Sequence, residues 1–268
     1  MFKAIISDFD GTLATADKRV SNENLKAIDE LFSRGKKFAL STGRMTASAM
    51  KLLDKLPFKP LIATYNGSEI VDSKTGERLI SHKLDTEIIL KIINFARERG
   101  LYSQVFNDRV IVEQINEVTH FYCNICKVEP VEVGDLYGFV ERENFRSPKM
   151  MVINYKGEVD GYIKELESLF GDEVEVVRCY DGMIDVTPKG INKGSAVKDF
   201  CKIWQIDPSE CVAVGDEGND VAMFKTAGLG VAMKNAKEDV KPFADYVTKK
   251  GNDEDGVAEV IRKFLLGE

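Results

Sequence analysis

Phe2-Lys3-Ala4-Ile5-Ile6-Ser7-Asp8-Phe9-Asp10-Gly11-Thr12 is the stretch from which the rest of the chain is read. A short, mostly apolar run closed by turn residues has the character of a strand buried on both faces, as inside a parallel sheet. Asp8 and Asp10 then stand where that strand ends and the backbone turns away at Gly11. In open α/β sheets, ligands bind at the carboxyl ends of the strands. Two acids at such a place repel each other unless a positive group lies between them or one keeps its proton. The pair therefore costs stability and is more easily explained by chemistry. Taken alone, the stretch is equally compatible with two acids that only cap a turn, because Asp and Gly are common turn formers.

Outward from this stretch, strands and helices alternate. Ser21 caps a helix with Leu25, Ile28, Leu31 and Phe32 at helical spacing, and Gly35 ends it. A second strand over 37–40 runs into Ser41-Thr42-Gly43-Arg44, and a helix over 45–56 stops before Pro57. A third strand over 61–64 ends at Tyr65-Asn66-Gly67. This order predicts parallel βαβ units with right-handed crossovers. Segments 69–72 and 78–82 then flank a hairpin turn at Ser73-Lys74-Thr75-Gly76.

From residue 84 the pattern changes to helices alternating with paired strands. We read a helix over 86–99 and two strands meeting at Asn107-Asp108. A cysteine-containing helix over 116–127 and an irregular Gly- and Glu-rich passage follow. A strand over 149–154, a helix over 158–170 and strands near 174–178 and 183–186 complete this part. Strand–helix alternation resumes at Pro188, with a helix over 191–203 and a strand over 211–214 that ends in Gly215-Asp216-Glu217-Gly218-Asn219-Asp220. Shorter elements follow: a helix over 221–227, a strand over 228–232, a helix near 238–243, a strand at 246–247 and a last helix over 256–266. The fold class expected is α/β: a doubly wound, mostly parallel Rossmann-like core of residues 1–83 and 188–268, with an inserted α+β domain over 84–187.

Composition narrows the function classes. Hydrophobic residues make up 44% of the 268, enough for one large or two smaller cores. No segment approaches the ~18 uninterrupted apolar residues of a membrane span, and no basic-then-apolar leader precedes the first strand, so a cytoplasmic location is expected. The net charge of −7, with no basic stretch carrying interleaved aromatics, argues against nucleic acid as a partner. No obligate protein partner is evident. Cys123 and Cys126 form a C-x-x-C, but no second Cys or His pair completes a zinc site, so buried structural thiols are expected. Neither His82 nor His120 has a catalytic neighbour in sequence, and both read as surface or packing residues.

Three separated strands thus deliver polar residues to one sheet edge: Asp8 and Asp10 from the first, Thr42 from the second, and Asp216, Asn219 and Asp220 from the strand at 211–214. Lys193 sits in the first turn of the preceding helix, where it opposes the helix dipole but can face an anion drawn to the same helix end. Carboxylates in this number call for a hard cation such as Mg²⁺. Aspartate is also a nucleophile at phosphorus, and phosphate-ester cleavage needs positioning and charge neutralisation above all.

At these residues a family resemblance is plain. Asp8-Phe9-Asp10-Gly11-Thr12, Ser41-Thr42-Gly43-Arg44, Lys193 and Gly215-Asp216-Glu217-Gly218-Asn219-Asp220 resemble, in order, the four motifs of the haloacid dehalogenase-like hydrolases. The insert resembles the larger type of cap, as in the Cof-type sugar-phosphate phosphatases, and the resemblance spans the whole chain. It implies Asp8 as nucleophile, giving an aspartyl-phosphate, and Asp10 as the acid/base, which must hold a proton part of the time. It implies phosphate binding by Thr42, the Gly43 amide and Lys193, with Asn219 contacting phosphate or nucleophile. Mg²⁺ would be held by the Asp8 carboxylate, the Asp10 carbonyl and Asp216, with Asp220 in the outer shell or only capping the helix after it. Asn66-Gly67 reads as an ordinary turn and Arg44 as a loop brace; Arg109, Lys149 and Arg178 of the insert could face a substrate, though most charged residues are simply solvated.

The function implied is a Mg²⁺-dependent phosphatase of small phosphorylated metabolites, sugar phosphates foremost. A phosphotransferase or mutase would use the same Asp8 intermediate and pass the phosphoryl group to a sugar hydroxyl. A receiver-like signalling domain also gathers acids, a Thr and a Lys around a phosphorylated Asp, but needs neither an acid/base at Asp10 nor a lid of roughly 100 residues.

Overall fold

The computed structural model describes residues 2–54 and 56–268. The chain divides into two compact units, one of residues 1–42, 55–80 and 192–268, the other of residues 43–54 and 81–191. In the first unit, β1 (Ala4–Asp8) is followed by α1 (Asn22–Ser33) and β2 (Lys37–Ser41). Ala4, Ile5 and Ile6 are wholly buried, as a strand covered on both faces requires. The Ser21 side chain caps α1 by accepting from the Asn24 amide, and Asn24 Oδ1 accepts from the Ala258 amide at 2.8 Å. Helix α2 runs over Thr46–Leu53 and belongs to the second unit. It is shorter than the 45–56 expected from sequence; of that expectation, position 55 lies outside the described residues. β3 (Leu61–Thr64), β4 (Glu69–Asp72) and β5 (Arg78–Ser81) return to the first unit.

The second unit continues with α3 (Thr86–Glu98), β6 (Tyr102–Phe106), β7 (Val110–Val112), α4 (Glu117–Cys126), β8 (Pro130–Glu132) and α5 (Leu136–Arg142). It closes with β9 (Met150–Ile153), α6 (Asp160–Phe170), β10 (Val174–Tyr180) and β11 (Met183–Pro188). Among the described residues its six strands run in the order β10-β11-β9-β6-β7-β8. The pairs are antiparallel except β7–β8. Ile88, Ile89, Ile92, Ile93 and Ala96, one face of α3, pack into a core with Val105, Met150, Val152, Ile184 and Val186. The passage read as irregular in sequence holds β8 and α5. A three-residue strand offers no period to read, and α5 shows only Leu136 and Val140 as its buried i, i+4 pair.

The first unit resumes with α7 (Lys193–Trp204), β12 (Cys211–Gly215), α8 (Val221–Thr226), β13 (Leu229–Ala232), β14 (Tyr246–Val247) and α9 (Gly256–Val260), whose last turns widen into a π-helix over Ile261–Leu266. Where a helix near 238–243 is expected, the chain makes only a 3₁₀ turn, Lys241–Phe243, because Pro242 lacks the amide that a longer helix needs. Among the described residues eight strands form one sheet, β14-β13-β12-β1-β2-β3-β4-β5. β14 to β3 are parallel in this order, and β4 is antiparallel to β3.

Backbone approach fixes where α7 begins. Gly67 has φ +104°, and a Cβ there would lie 2.5 Å from the Asn192 carbonyl oxygen. Asn192 in turn caps α7, its side chain accepting from the amides of Gly194 and Ser195. We expect Gly67→Ala to destabilise the protein by about 2 kcal/mol or more, from the positive φ and the clash together. The unfolding midpoint in a thermal scan should fall by several degrees; an unchanged midpoint would contradict this packing.

Candidate active site

β12, β1 and β2 are neighbours in the sheet and parallel, so their carboxyl ends lie side by side. Asp8 ends β1 opposite Ser41 of β2, Thr42 follows, and Asp216 follows Gly215 at the end of β12. This is the point where the chain order reverses across the sheet, the place where open α/β folds bind ligands. Lys193, the first residue of α7, is driven into the same spot by the Asn192 cap. Its Nζ donates to Asp8 Oδ1 at 2.6 Å and to Asp220 Oδ1 at 2.5 Å, and only 2% of the lysine is exposed.

Asp220 spends its other oxygen within its own loop, where Oδ2 accepts from the amides of Asp216 and Glu217, each at 2.9 Å. It precedes α8 but makes no side-chain cap to that helix. Asp216 Oδ1 accepts from the Thr12 hydroxyl at 2.6 Å. Its Oδ2 fills the space beside Gly11, where a Cβ would lie 2.3 Å from it. The three acids Asp8, Asp216 and Asp220 are buried and present ligand oxygens all within 4.8 Å of one another.

Asp10 is not part of that cluster. It lies in the turn after β1, partly exposed, and accepts from Lys18 Nζ at 2.8 Å. Thr42 is buried, and its carbonyl accepts from the Asn66 amide at 3.1 Å. Asn219 Nδ2 donates to Asn66 Oδ1 at 3.0 Å, while the buried Asn219 Oδ1 has no hydrogen-bond partner among the described residues. Gly43 is the first residue of the second unit. Sequence reading assigned no part to Thr12, Lys18 or Asn66. Thr12 was quotable from its motif and Asn66 from its turn, but nothing local marks Lys18, whose role depends on a turn with φ +62°.

The remaining candidates fall elsewhere. Cys123 and Cys126 are buried free thiols, and burial pushes Cys123 up to about 11. His120 is exposed and His82 half-buried. Arg178 pairs with Asp160. Arg44 Nη1 donates to Ser48 Oγ at 3.4 Å, within its own turn. Lys149 is fully buried rather than solvated.

Charge makes the cluster chemically unusual. Burial raises the Asp8 carboxyl well above the carboxylate range; Lys193 opposes this, while Asp220 and Asp216 add to it. Burial, partly offset by the Thr12 hydrogen bond and reinforced by Asp220, pushes Asp216 up to about 7. For Lys193, burial pulls the ammonium down, but the charges of Asp220 and Asp8 outweigh it and the net direction is up. Three carboxylates against one ammonium leave two negative charges to be balanced within the cluster. An all-oxygen donor set with that deficit fits a hard divalent cation.

Comparison with known proteins gives the family. A family profile described as haloacid dehalogenase-like hydrolase matches residues 5–261. The chain is 33% identical to the 5-amino-6-(5-phospho-D-ribitylamino)uracil phosphatase YcsE of Bacillus subtilis, over 98% of this chain and 96% of that protein. Among solved structures, it is similar to a haloacid dehalogenase-like hydrolase from Bacteroides thetaiotaomicron, with TM-score 0.84 and 28% identity over 99% of this chain and 100% of that one. It is also similar to the subclass IIB sugar phosphatase BT4131, with TM-score 0.79 and 27% identity over 98% of each chain. Among the described residues no helix is long and apolar enough to cross a membrane.

The raised carboxyls fix the sign of a pH effect. A carboxyl that titrates higher in the folded state keeps its proton longer there, so stability falls as pH rises from the unfolded value to the folded one. For Asp216 that window runs from 3.8 to about 7, and Asp8 acts in the same direction. In EDTA the unfolding midpoint should therefore fall between about pH 4 and pH 7, with an effect on the order of a few kcal/mol. Asp216→Asn should flatten the slope, and a divalent cation should restore stability most at the alkaline end. A profile that is flat in EDTA, or unaltered by Asp216→Asn, would refute this account of the cluster.

Proposed function

The chain belongs to the haloacid dehalogenase-like hydrolases and is a phosphoric monoester hydrolase, and from that premise we propose that it is a Mg²⁺-dependent phosphatase of small phosphorylated metabolites, sugar phosphates foremost, acting through an aspartyl-phosphate on Asp8. The observation that carries this reading is the Lys193 ammonium gripping Asp8 Oδ1 at 2.6 Å. That contact fixes the carboxylate's rotation and leaves its second oxygen to attack. The substrate class draws support from relatives, one named for a phospho-D-ribityl compound and one named a sugar phosphatase.

In this reading an Asp8 oxygen attacks phosphorus as the ester oxygen departs, and Asp10 gives that oxygen its proton. Asp10 then takes a proton from water, which attacks phosphorus and breaks the Asp8–phosphorus bond, releasing inorganic phosphate and restoring both acids. Protonating Asp10 gives up its ion pair with Lys18, half of whose side chain is exposed, and such pairs are worth only ~0–1 kcal/mol. Lys193 faces the phosphoryl oxygens while holding Asp8, with Thr42, the Gly43 amide and Asn219 as further phosphate contacts. Asp8, Asp216 and the Asp10 carbonyl would hold Mg²⁺, which supplies charge neutralisation on the phosphoryl oxygens. Asp220 serves from the outer shell, because both its oxygens are engaged. The inserted domain, residues 84–187, serves as the cap that excludes water and chooses the leaving group, and the five free cysteines suit a cytoplasmic enzyme.

Phosphate release from p-nitrophenyl phosphate and a panel of sugar phosphates tests the reading. Turnover should require Mg²⁺, vanish with EDTA, and drop by at least about a thousandfold in Asp8→Asn with the circular dichroism spectrum unchanged. Wild-type rates in Asp8→Asn would overturn it. Phosphate appearing on an acceptor sugar instead of in solution would make the protein a phosphotransferase.

A further inference from the structure

The turn after β3 runs against the preferences of its own residues. Tyr65, Asn66 and Gly67 all have positive φ, at +51°, +57° and +104°. Only the glycine takes this region without cost; asparagine tolerates it, and a residue as bulky as tyrosine rarely does. Tyr65 and Asn66 are also buried, so the strain sits inside the fold. Such strain persists only where the surrounding structure enforces it, and it collects at functional sites.

What the strained turn delivers is the Asn66 side chain. Thr42, Asn192 and Asn219, which the turn meets, belong to the first unit as it does. The Asn66 amide donates to the Thr42 carbonyl at 3.1 Å, and Gly67 lets the chain lie against Asn192, the cap of α7. With the backbone held on both sides, Asn66 Oδ1 accepts from Asn219 Nδ2 at 3.0 Å. Asn219 stands in the loop whose next residue, Asp220, meets Lys193. A carboxamide turned end for end would bring its oxygen against Asn66 Oδ1, and two acceptors repel. Asn66 therefore selects one of the two orientations of the Asn219 amide. The selection does not serve stability, because it leaves the buried Asn219 Oδ1 without a partner among the described residues.

We propose that Asn66 is a positioning residue for phosphate binding and acts through Asn219, holding its carboxamide in one orientation so that a bound phosphoryl group meets a fixed edge of the amide. One N–H of Asn219 is spent on Asn66. The second N–H and the unpartnered oxygen stay available to the reactant, the first for a phosphoryl oxygen and the second for a water or hydroxyl proton. The inference rests on the phosphatase reading above, in which Asn219 contacts phosphate.

The test is inorganic phosphate binding by calorimetry in Mg²⁺, alongside p-nitrophenyl phosphate kinetics, in the full-length protein. Asn66→Gly removes the side chain but keeps the amide that holds Thr42, in a residue suited to positive φ, so the unfolding midpoint should stay close to wild type. Its Kd for phosphate should rise about tenfold and its kcat/KM fall about tenfold. Asn219→Ala should lose at least as much, and Asn66→Gly/Asn219→Ala should lose no more than about threefold beyond Asn219→Ala alone. Single losses that multiply to about a hundredfold in the double variant would mean that Asn66 acts apart from Asn219, and overturn the inference. So would a folded Asn66→Gly within about twofold of wild type in both Kd and kcat/KM, since a purely structural contact moves only stability. Asn66→Ser, too short to reach Asn219, stands in should the glycine variant fail to fold, with the same losses expected. Wild-type protein that neither binds phosphate nor shows Asp8-dependent turnover brings down the phosphatase reading instead.

Discussion

The structure of the first unit turns on one ammonium group. Lys193 Nζ holds Asp8 at the end of β1 and Asp220 beyond the end of β12, and without it two buried carboxylates would face each other unpaired. Backbone features around it serve that contact. Gly67 lets the chain pass against the Asn192 carbonyl, so that α7 begins with its lysine pointing inward. Gly215 leaves the space that Asp220 occupies, since a Cβ there would lie 2.3 Å from its carboxyl carbon. Gly11 does the same for Asp216. The glycines are spacing devices for acids as much as turn formers.

Each unit carries a buried lysine, and the difference between them is instructive. Lys149 meets one carboxylate, so its pair is neutral and complete, which suits a fixed scaffold. Lys193 meets two, with Asp216 close by, so its cluster is two charges short of neutral. Burial chiefly raises its carboxyls, and the neighbouring acids add to the shift. A cluster built this way would be stabilised by a divalent cation, which brings the positive charge that folding left out.

Much of this was legible in the linear chain. The buried character of β1, the strand–helix alternation on either side of the insert, and the polar strand ends each follow from period and turn chemistry, which are local. The motif residues Asp8, Asp10, Thr42, Lys193 and Asp216 could be named because each stands directly at the end or start of an element. Elements too short to show a period, such as β8 and α5, were not legible, and neither was the effect of Pro242 in confining a helix to one 3₁₀ turn.

The sequence by itself determined the family and the α/β class and named the candidate side chains, because those depend on residue type, order and spacing. Only the tertiary structure decided who pairs with whom. It set Thr12 on Asp216, Asn66 on Asn219, Lys18 on Asp10 and Lys149 on Asp185, over separations from 8 to 204 residues. It also spent both oxygens of Asp220 on Lys193 and two amides, and buried a lysine that composition would place in solvent. Such pairings depend on strand order, helix starting points and burial, and a charge takes its partner from whatever the packed interior brings within reach.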